Sequence, residues 1–162
     1  MDNGARTGST RNSRVIGASR EACYRAFTDA DSLGAWLAPE GMTGRVHEFD
    51  PRVGGGYRMS LFYDSPGDAD RGKTTGNEDR FAARFLELDP PRRIVQVIEF
   101  ESDDPAFSGS MTMTVLLHDH EDGTEVTIAF DGIPPGIRPE DNEAGTRSSL
   151  EKLALRLEGP AR

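Results

Sequence analysis

Apolar and polar residues alternate along much of the middle of the chain. The alternation is clearest in four segments, residues 57–63, 81–85, 111–117 and 126–130. In each of them apolar side chains occupy every second position, as they do when one face of a β-strand is buried. Three further strands are predicted from their apolar content: Ser13–Ala18, Met42–Phe49 and Ile94–Phe100. The pattern therefore predicts seven strands.

Signals for two short helices follow the first predicted strand. Ser19 is predicted to cap a helix over Arg20–Thr28, because a serine hydroxyl can accept a hydrogen bond from the first turn. A second helix is predicted with its cap at Asp31 or Ser32 and with apolar residues at helical spacing: Leu33, Trp36 and Leu37. Pro39 is expected to end it.

The longest predicted helix is the last element, Pro139–Glu158. Its apolar residues fall on one face: Leu150, Leu153, Ala154 and Leu157. Antiparallel strands with one apolar face need a cover, and this helix is the only long one available. The sequence therefore predicts an α+β fold, in which a curved seven-stranded antiparallel sheet surrounds the long C-terminal helix and leaves room for a cavity.

Glycine, proline and polar residues mark the connections between these elements. Asp50–Gly55, Asp89–Pro91 and Asp122-Gly123 are predicted turns. Asp64–Gly76 is a longer polar loop, which we expect to gate the cavity because long polar loops are mobile and often functional.

The length of 162 residues fits one domain. Residues 1–12 contain arginines and no apolar stretch, so we expect a disordered N-terminal segment rather than a secretory signal. The single domain is then predicted over residues 13–159, with a tail at 160–162. No apolar run approaches the roughly 20 residues that cross a bilayer, so membrane insertion is not expected.

Charge and cysteine content narrow the expected partners. The net charge is −9, from 28 acidic and 19 basic residues. Such a chain repels phosphate backbones and anionic lipid surfaces, so nucleic acid is not an expected partner. The single cysteine, Cys23, cannot form an internal disulfide, which fits the reducing cytoplasm. Cys23 is predicted to be a core residue, and a reactive thiol is the alternative.

Several segments, in this order, are similar to those of one protein family: Asp31–Pro39 with Trp36, DPRVGGGYRMS at Asp50–Ser60, LELDPPRRIV at Leu86–Val95, Gly123–Thr127 and Gly145–Leu157. The chain resembles the START-like (SRPBCC) superfamily, and within it the branch named after the activator of the heat-shock-protein-ninety ATPase. The resemblance covers about Ser13 to Glu158 and implies the helix-grip fold. The superfamily includes lipid binders, polyketide cyclases and co-chaperone domains, so the fold alone does not select a function.

The resemblance implies a cavity between the sheet and the last helix. The residues predicted to line it are Trp36, Tyr57, Met59, Tyr63, Phe81, Phe85, Gln96, Ile98, Met111, Met113, Asn142, Glu143, Thr146 and Leu150. Many members of the branch carry tryptophan directly after the helix glycine, whereas this chain has Thr146 after Gly145. Asn142, Glu143 and Thr146 should project to the same side as the leucines of the helix. We therefore expect a roomier and more polar cavity at that side.

Three residues are weak candidates for acid–base chemistry in the cavity. Glu143 is the candidate carboxylate; in the alternative interpretation its side chain is solvent-exposed on the helix. His47 would need a partner from another element, because Glu48 beside it faces the opposite side of the strand. Otherwise His47 is an exposed strand residue.

Gln96 is the third candidate, and its strand register is open. If Ile94 and Ile98 face the helix, Gln96 does too, and its buried amide needs a partner such as a ligand. If Val95 and Val97 face inward instead, Gln96 is exposed.

His118-Asp119-His120 places two imidazoles two residues apart beside the Asp122-Gly123 hairpin. Metal sites need three or four converging ligands, and no third ligand is in register here. We therefore expect neither a metal nor another cofactor.

Three functions are compatible with the sequence. The first is binding of an apolar or amphipathic small molecule in the cavity. The second is a cyclase- or hydrolase-type enzyme, which would need at least two polar groups converging in the same cavity. The third is a co-chaperone-like interaction module. Exposed strand edges also allow a homodimer.

Overall fold

A computed structural model describes residues 8–64 and 78–158 of the chain. The strands are β1 Gly8–Ile16, β2 Met42–Phe49, β3 Gly56–Tyr63, β4 Glu78–Asp89, β5 Arg93–Phe100, β6 Ser110–His120 and β7 Gly123–Ile133. The helices are α1 Arg20–Thr28, α2 Ala30–Trp36 and α3 Pro139–Glu158, and a short 3₁₀ turn covers Pro105–Phe107. The predicted α+β helix-grip architecture is confirmed.

All seven strands belong to one antiparallel sheet, in the order β1-β7-β6-β5-β4-β3-β2. Three irregularities of the β-bulge type interrupt its register, with His47 as the extra residue in β2, Leu86 in β4 and Gly132 in β7. Bulges increase the local twist and bend of a strand, so they help the sheet to curve. The helix α3 lies on the concave face, where it approaches β1, α1 and α2 most closely.

The predicted turn at Asp50–Gly55 is present and depends on its glycines. Gly54 has a φ of +88°, a backbone conformation that residues with a Cβ rarely adopt. Gly56, where β3 begins, has no room for a side chain, because a Cβ would overlap the carbonyl oxygen of Ala83 on β4. The turn therefore brings β3 directly against β4.

Both short helices begin at a side-chain cap. The amide of Ala22 donates to the Ser19 hydroxyl at 3.1 Å, as predicted for α1. For α2 the predicted caps, Asp31 and Ser32, are wrong. The carboxylate of Asp29 accepts from the Ser32 amide at 2.9 Å, so the helix starts directly after α1 ends.

The prediction that the first strand starts at Ser13 is also wrong, because β1 begins at Gly8. The earlier residues are small or polar and carry no period-two apolar signal. They nevertheless pair with β7 through backbone groups, with Asn12 opposite Ile128. Residues 8–12, predicted to be disordered, therefore belong to the sheet.

The last helix has the predicted bounds, and it divides into two parts. Leu150, Leu153 and Ala154 are at most 1% exposed in its second half. Its first half buries Thr146 at 7% exposure. Among the described residues, none of the helices combines the length and the apolar character of a membrane-spanning segment.

Asn12 generates a prediction about stability. Its Nδ2 atom is buried without a hydrogen-bond partner, on the same sheet face as Ile128. An unsatisfied buried amide costs about 1–3 kcal/mol, so Asn12→Leu should raise the free energy of unfolding by about 1 kcal/mol. That corresponds to roughly 2–4 °C in thermal unfolding. Asn12→Asp, of equal size but charged, should destabilise. A lower melting temperature for Asn12→Leu would show that the amide has a partner.

Cys23 generates a prediction about reactivity. The side chain is fully buried, and burial raises the pKa of its thiol. Because only the thiolate reacts, a thiol reagent at neutral pH should modify Cys23 far more slowly in the native protein than in the urea-unfolded protein. Equal rates in the two states would instead support the alternative of a reactive thiol.

Candidate functional site: a cleft between helix and sheet

A cleft of about 750 Å³ separates the first half of α3 from the sheet. Its floor comes from the concave face of the sheet: Leu61, Tyr63, Asp79, Phe81, Ile98, Phe100, Met111, Met113, Ile128 and Phe130. The opposite wall is helical: Asp141, Asn142, Ala144, Gly145, Thr146, Ser148 and Ser149. Leu37, residues 39–42 and 136–137, and Phe107 complete it.

The two walls differ in polarity. The sheet wall is almost entirely aromatic, methionine and aliphatic, because alternate strand residues face inward. The helical wall carries hydroxyl and amide groups that are already hydrogen-bonded. Thr10 donates to Asn142 Oδ1 at 2.5 Å, and Thr146 donates to the carbonyl of Asn142 at 2.8 Å. An amphipathic molecule could therefore meet an apolar surface on one side and a polar surface on the other.

Side chains of α3 hold the segment that forms one end of the cleft. Ser149 donates to the Leu37 carbonyl at 2.6 Å, and Lys152 donates to the Ala38 carbonyl at 2.7 Å. The Glu40 amide donates to the Ser148 hydroxyl at 2.8 Å. These bonds fix the position of this segment relative to the helix.

One carboxylate of the cleft was missed by the sequence analysis. Asp79 on β4 lines the cleft and is 2% exposed. The hydroxyl of Tyr63 donates to it over a long 3.4 Å. The signal was present in the sequence, because Asp79 shares the period of two with Phe81 and Ala83. The alternation predicted from the sequence begins at Phe81, because Asp79 is charged and therefore does not read as an inward-facing residue.

The structure brings several of the predicted lining residues together at the cleft: Tyr63, Phe81, Ile98, Met111, Met113, Asn142 and Thr146. Others do not line it, namely Trp36, Tyr57, Met59, Phe85 and Leu150, because they are packed in the core. The Trp36 indole, for example, packs edge-on against Phe27 at 4.8 Å and donates to the Ala26 carbonyl at 2.9 Å. The Tyr57 ring packs against Phe85 at 5.8 Å.

Gln96 also lies in the core rather than in the cleft. Ile94, Gln96 and Ile98 all face inward, which decides between the two registers that the sequence allowed. The Gln96 amide donates to the Tyr57 hydroxyl at 2.8 Å and lies 3.1 Å from the Met113 sulfur. Its partner is therefore a protein side chain. Burial raises the pKa of Tyr57 well above its ordinary range, so this hydroxyl stays protonated.

The other two acid–base candidates lie elsewhere. His47 is exposed in the bulge of β2 and shares a 2.8 Å hydrogen bond with Ser60, on the convex face of the sheet. The Glu143 side chain is 44% exposed and pairs with Arg147 at 3.4 Å along the outer side of α3. The three candidates therefore do not converge, and Glu143 was wrongly expected in the cleft, because its position on the helix turns it toward solvent.

The two histidines at the end of β6 make local contacts. His118 and His120 are exposed. His120 Nδ1 accepts from the Asp122 amide at 3.0 Å, and Asp119 pairs with Arg20 at 3.0 Å. Across residues 8–64 and 78–158, no group of three or more histidine, cysteine or acidic side chains is placed to hold a metal ion. The predicted loop Asp64–Gly76 lies outside the described residues beyond Asp64.

The bond between Gln96 and Tyr57 can be tested by a double-mutant cycle. Tyr57→Phe should lower the free energy of unfolding by about 1–2 kcal/mol, because it leaves a buried amide donor without its oxygen acceptor. The double variant, Tyr57→Phe with Gln96→Leu, should lower the free energy of unfolding by less than the sum of the two single changes. Tyr24→Phe on α1 is the control. Strict additivity in urea unfolding would show that the two groups do not interact.

Comparisons with known proteins agree with this architecture. The sequence profile described as Activator of Hsp90 ATPase homolog 1-like protein matches residues 17–158. A crystal structure from Chromobacterium violaceum is 36% identical, with a TM-score of 0.83 and coverage of 94% of this chain and 98% of that chain. None of the curated proteins matches the chain.

More distant structures share the fold alone. A protein from Rhodobacter sphaeroides is 22% identical with a TM-score of 0.73, covering 93% of this chain and 91% of that one. An AHSA1 protein from Silicibacter pomeroyi is 18% identical with a TM-score of 0.73, covering 93% and 98%. The profile match and the Chromobacterium violaceum relative together show that the chain belongs to the Activator of Hsp90 ATPase homolog 1-like family, within the START-like superfamily that its sequence resembles.

Proposed function

We propose that this protein binds an amphipathic small molecule in the cleft between α3 and the sheet. The observation that carries the proposal is the cleft itself. Its volume of about 750 Å³ lies within the range of small-molecule sites, about 300–1,000 Å³. Its mostly apolar sheet wall and a small number of polar groups are also typical of such sites.

The small size of Thr146 supports this proposal. The side chain lines the cleft at a position where many related sequences carry tryptophan, and an indole there would project into the same space. A threonine leaves that space open and keeps a hydroxyl on the helical wall. The acid–base candidates lie apart from one another, so no observation favours an enzyme over a binding protein.

Nile red, an uncharged dye that fluoresces in apolar surroundings, can test for an accessible cleft. We expect the dye to bind wild-type protein and expect Thr146→Trp to weaken binding at least about tenfold by filling the space. The matched control is Arg147→Trp, which adds the same side chain on the exposed side of α3. Thermal unfolding and circular dichroism should show that both variants fold. Equal binding by folded Thr146→Trp would contradict the proposal.

A thermal-shift screen can then search for the ligand among sterols, fatty acids, flavonoids, aromatic polyketides and amphipathic amines. A ligand present at a hundred times its dissociation constant adds about 2.7 kcal/mol to the free energy of unfolding. For a chain of this size that is roughly 5–10 °C. A ligand of the cleft should displace Nile red, and it should no longer raise the melting temperature when the protein carries Thr146→Trp. A ligand whose shift survives that change binds elsewhere.

A further inference from the structure

A polar corner of the cleft lies where the start of α3 meets the edge strand β1. It is formed by Thr10, Asn12, Asn142 and Thr146. We propose that this corner selects the ligand: the cleft favours molecules that present an uncharged hydrogen-bond acceptor, such as a ketone oxygen, to the side-chain amide of Asn142. The inference rests on the proposed function, because it names the class of ligand for the same cleft.

Strand β1 holds the Asn142 amide in one orientation. Thr10 Oγ1 donates to Asn142 Oδ1 at 2.5 Å. Hydrogen bonds from a hydroxyl to an oxygen can be that short, whereas bonds from a nitrogen to an oxygen span about 2.7–3.2 Å. The distance therefore indicates that the oxygen of the amide, and not its nitrogen, faces Thr10.

The nitrogen of the same amide keeps two unused N–H groups. The other hydrogen bonds of Asn142 within residues 8–64 and 78–158 use its backbone: the carbonyl accepts from Thr146 at 2.8 Å, and the amide donates to the Arg138 carbonyl at 3.0 Å. Nδ2 takes part in none of them. Asn142 is only half-buried and lines the cleft, so a bound molecule can reach these N–H groups.

The two threonine hydroxyls of the corner do not provide a competing donor. A hydroxyl carries a single proton. Thr10 commits its proton to Asn142 Oδ1, and Thr146 commits its proton to the Asn142 carbonyl. The N–H groups of Asn142 are therefore the accessible hydrogen-bond donors that this corner offers to the cleft.

Asn12 is a second amide of the corner with an unused donor. It occupies the next inward position on β1 after Thr10, opposite Ile128, which lines the cleft. The residue is 8% exposed, and its Nδ2 atom is buried without a partner. Buried N–H groups that lack an acceptor are rare in folded proteins. The corner thus has more amide N–H groups than acceptors placed to receive them, and an acceptor on a ligand would reduce this excess.

The surroundings of the corner favour an acceptor without charge. Ile128 and Phe130, the strand partners of Asn12 and Thr10, belong to the apolar floor of the cleft. Moving a charged head group from water to such a surface costs more than moving a carbonyl group. A molecule with no acceptor would displace water from Asn142 Nδ2 without replacing its hydrogen bonds, which also costs affinity. A neutral carbonyl avoids both penalties.

Two uncharged compounds of nearly the same shape test the proposal: 4-phenyl-2-butanone and isopentylbenzene, which has a methyl group in place of the ketone oxygen. Their affinities follow from Nile red displacement, corrected for the affinity of the dye for each variant. Asn142→Asp keeps the size of the side chain and an oxygen for Thr10, but it removes both N–H groups. We expect it to lower the ratio of ketone to hydrocarbon affinity at least about fivefold. An unchanged ratio in folded Asn142→Asp would overturn the proposal.

Arg147→Gln is the matched control for charge. Like Asn142→Asp it makes the net charge more negative by one, but it does so on the exposed side of α3. Exposed charges are screened by salt, so the affinity ratio should change less than about twofold. If Arg147→Gln lowers the ratio as much as Asn142→Asp does, the effect comes from charge and the proposal is wrong.

The infrared carbonyl stretch of bound 4-phenyl-2-butanone gives a readout that needs no variant. A hydrogen bond to the ketone oxygen lowers the frequency of this stretch relative to the same compound in hexane. We expect the lower frequency in the wild-type complex and a return toward the hexane value in Asn142→Asp. A wild-type complex with the hexane frequency would contradict the proposal, even if Asn142→Asp does not fold.

Failure of this inference and failure of the proposed function give different results. If Nile red and both compounds do not bind, or if they bind equally well to folded Thr146→Trp, the proposed function fails. If both compounds bind in the cleft but their affinity ratio is the same in wild-type protein and Asn142→Asp, only the preference for an acceptor fails.

Discussion

The division of α3 into an apolar half and a polar half is the constraint on which the rest of the structure depends. Leu150, Leu153 and Ala154 anchor the second half in the core, and burial of each leucine contributes roughly 1.5–3 kcal/mol. In the first half, Asn142 accepts a hydrogen bond from Thr10 and Thr146 donates to the Asn142 carbonyl, so this half offers polar side chains where the second half offers leucines. The helix can therefore pack closely along only part of its length, and the cleft lies beside the other part.

Polar side chains near the middle of α3 also satisfy the backbone of a neighbouring loop. The segment between α2 and β2 exposes backbone groups that need hydrogen bonds. Ser148, Ser149 and Lys152 supply them over residues 37–40. Loop, helix and sheet are thereby joined around the cleft, and these hydrogen bonds hold its walls in place. Such preorganisation lowers the conformational entropy that the protein itself would lose if a molecule bound there.

The strands and helices could be predicted from the sequence. Which inward-facing residues line the cleft and which are packed in the core could not. A period of two is a local property of the sequence, so it correctly predicts that Phe81, Met111 and Met113 face inward. Tyr57 and Gln96 follow the same period, yet they belong to the core, because the position of α3 over the sheet decides which inward residues stay uncovered. No local pattern marks that position. The bulge at His47, which places it on the convex face, left no signal either.

Protein interiors are normally filled, because side chains beside a void lose their van der Waals partners. The cleft persists because α3 is tied to the N-terminal part of the chain near both of its ends. Thr10 of β1 bonds Asn142 near its start, and the Gly17 amide donates to Glu158 at its last residue, at 2.9 Å. Collapse onto the sheet would break these contacts as well as those to the loop. The space under the helix is thus a consequence of where the hydrogen bonds of α3 lie.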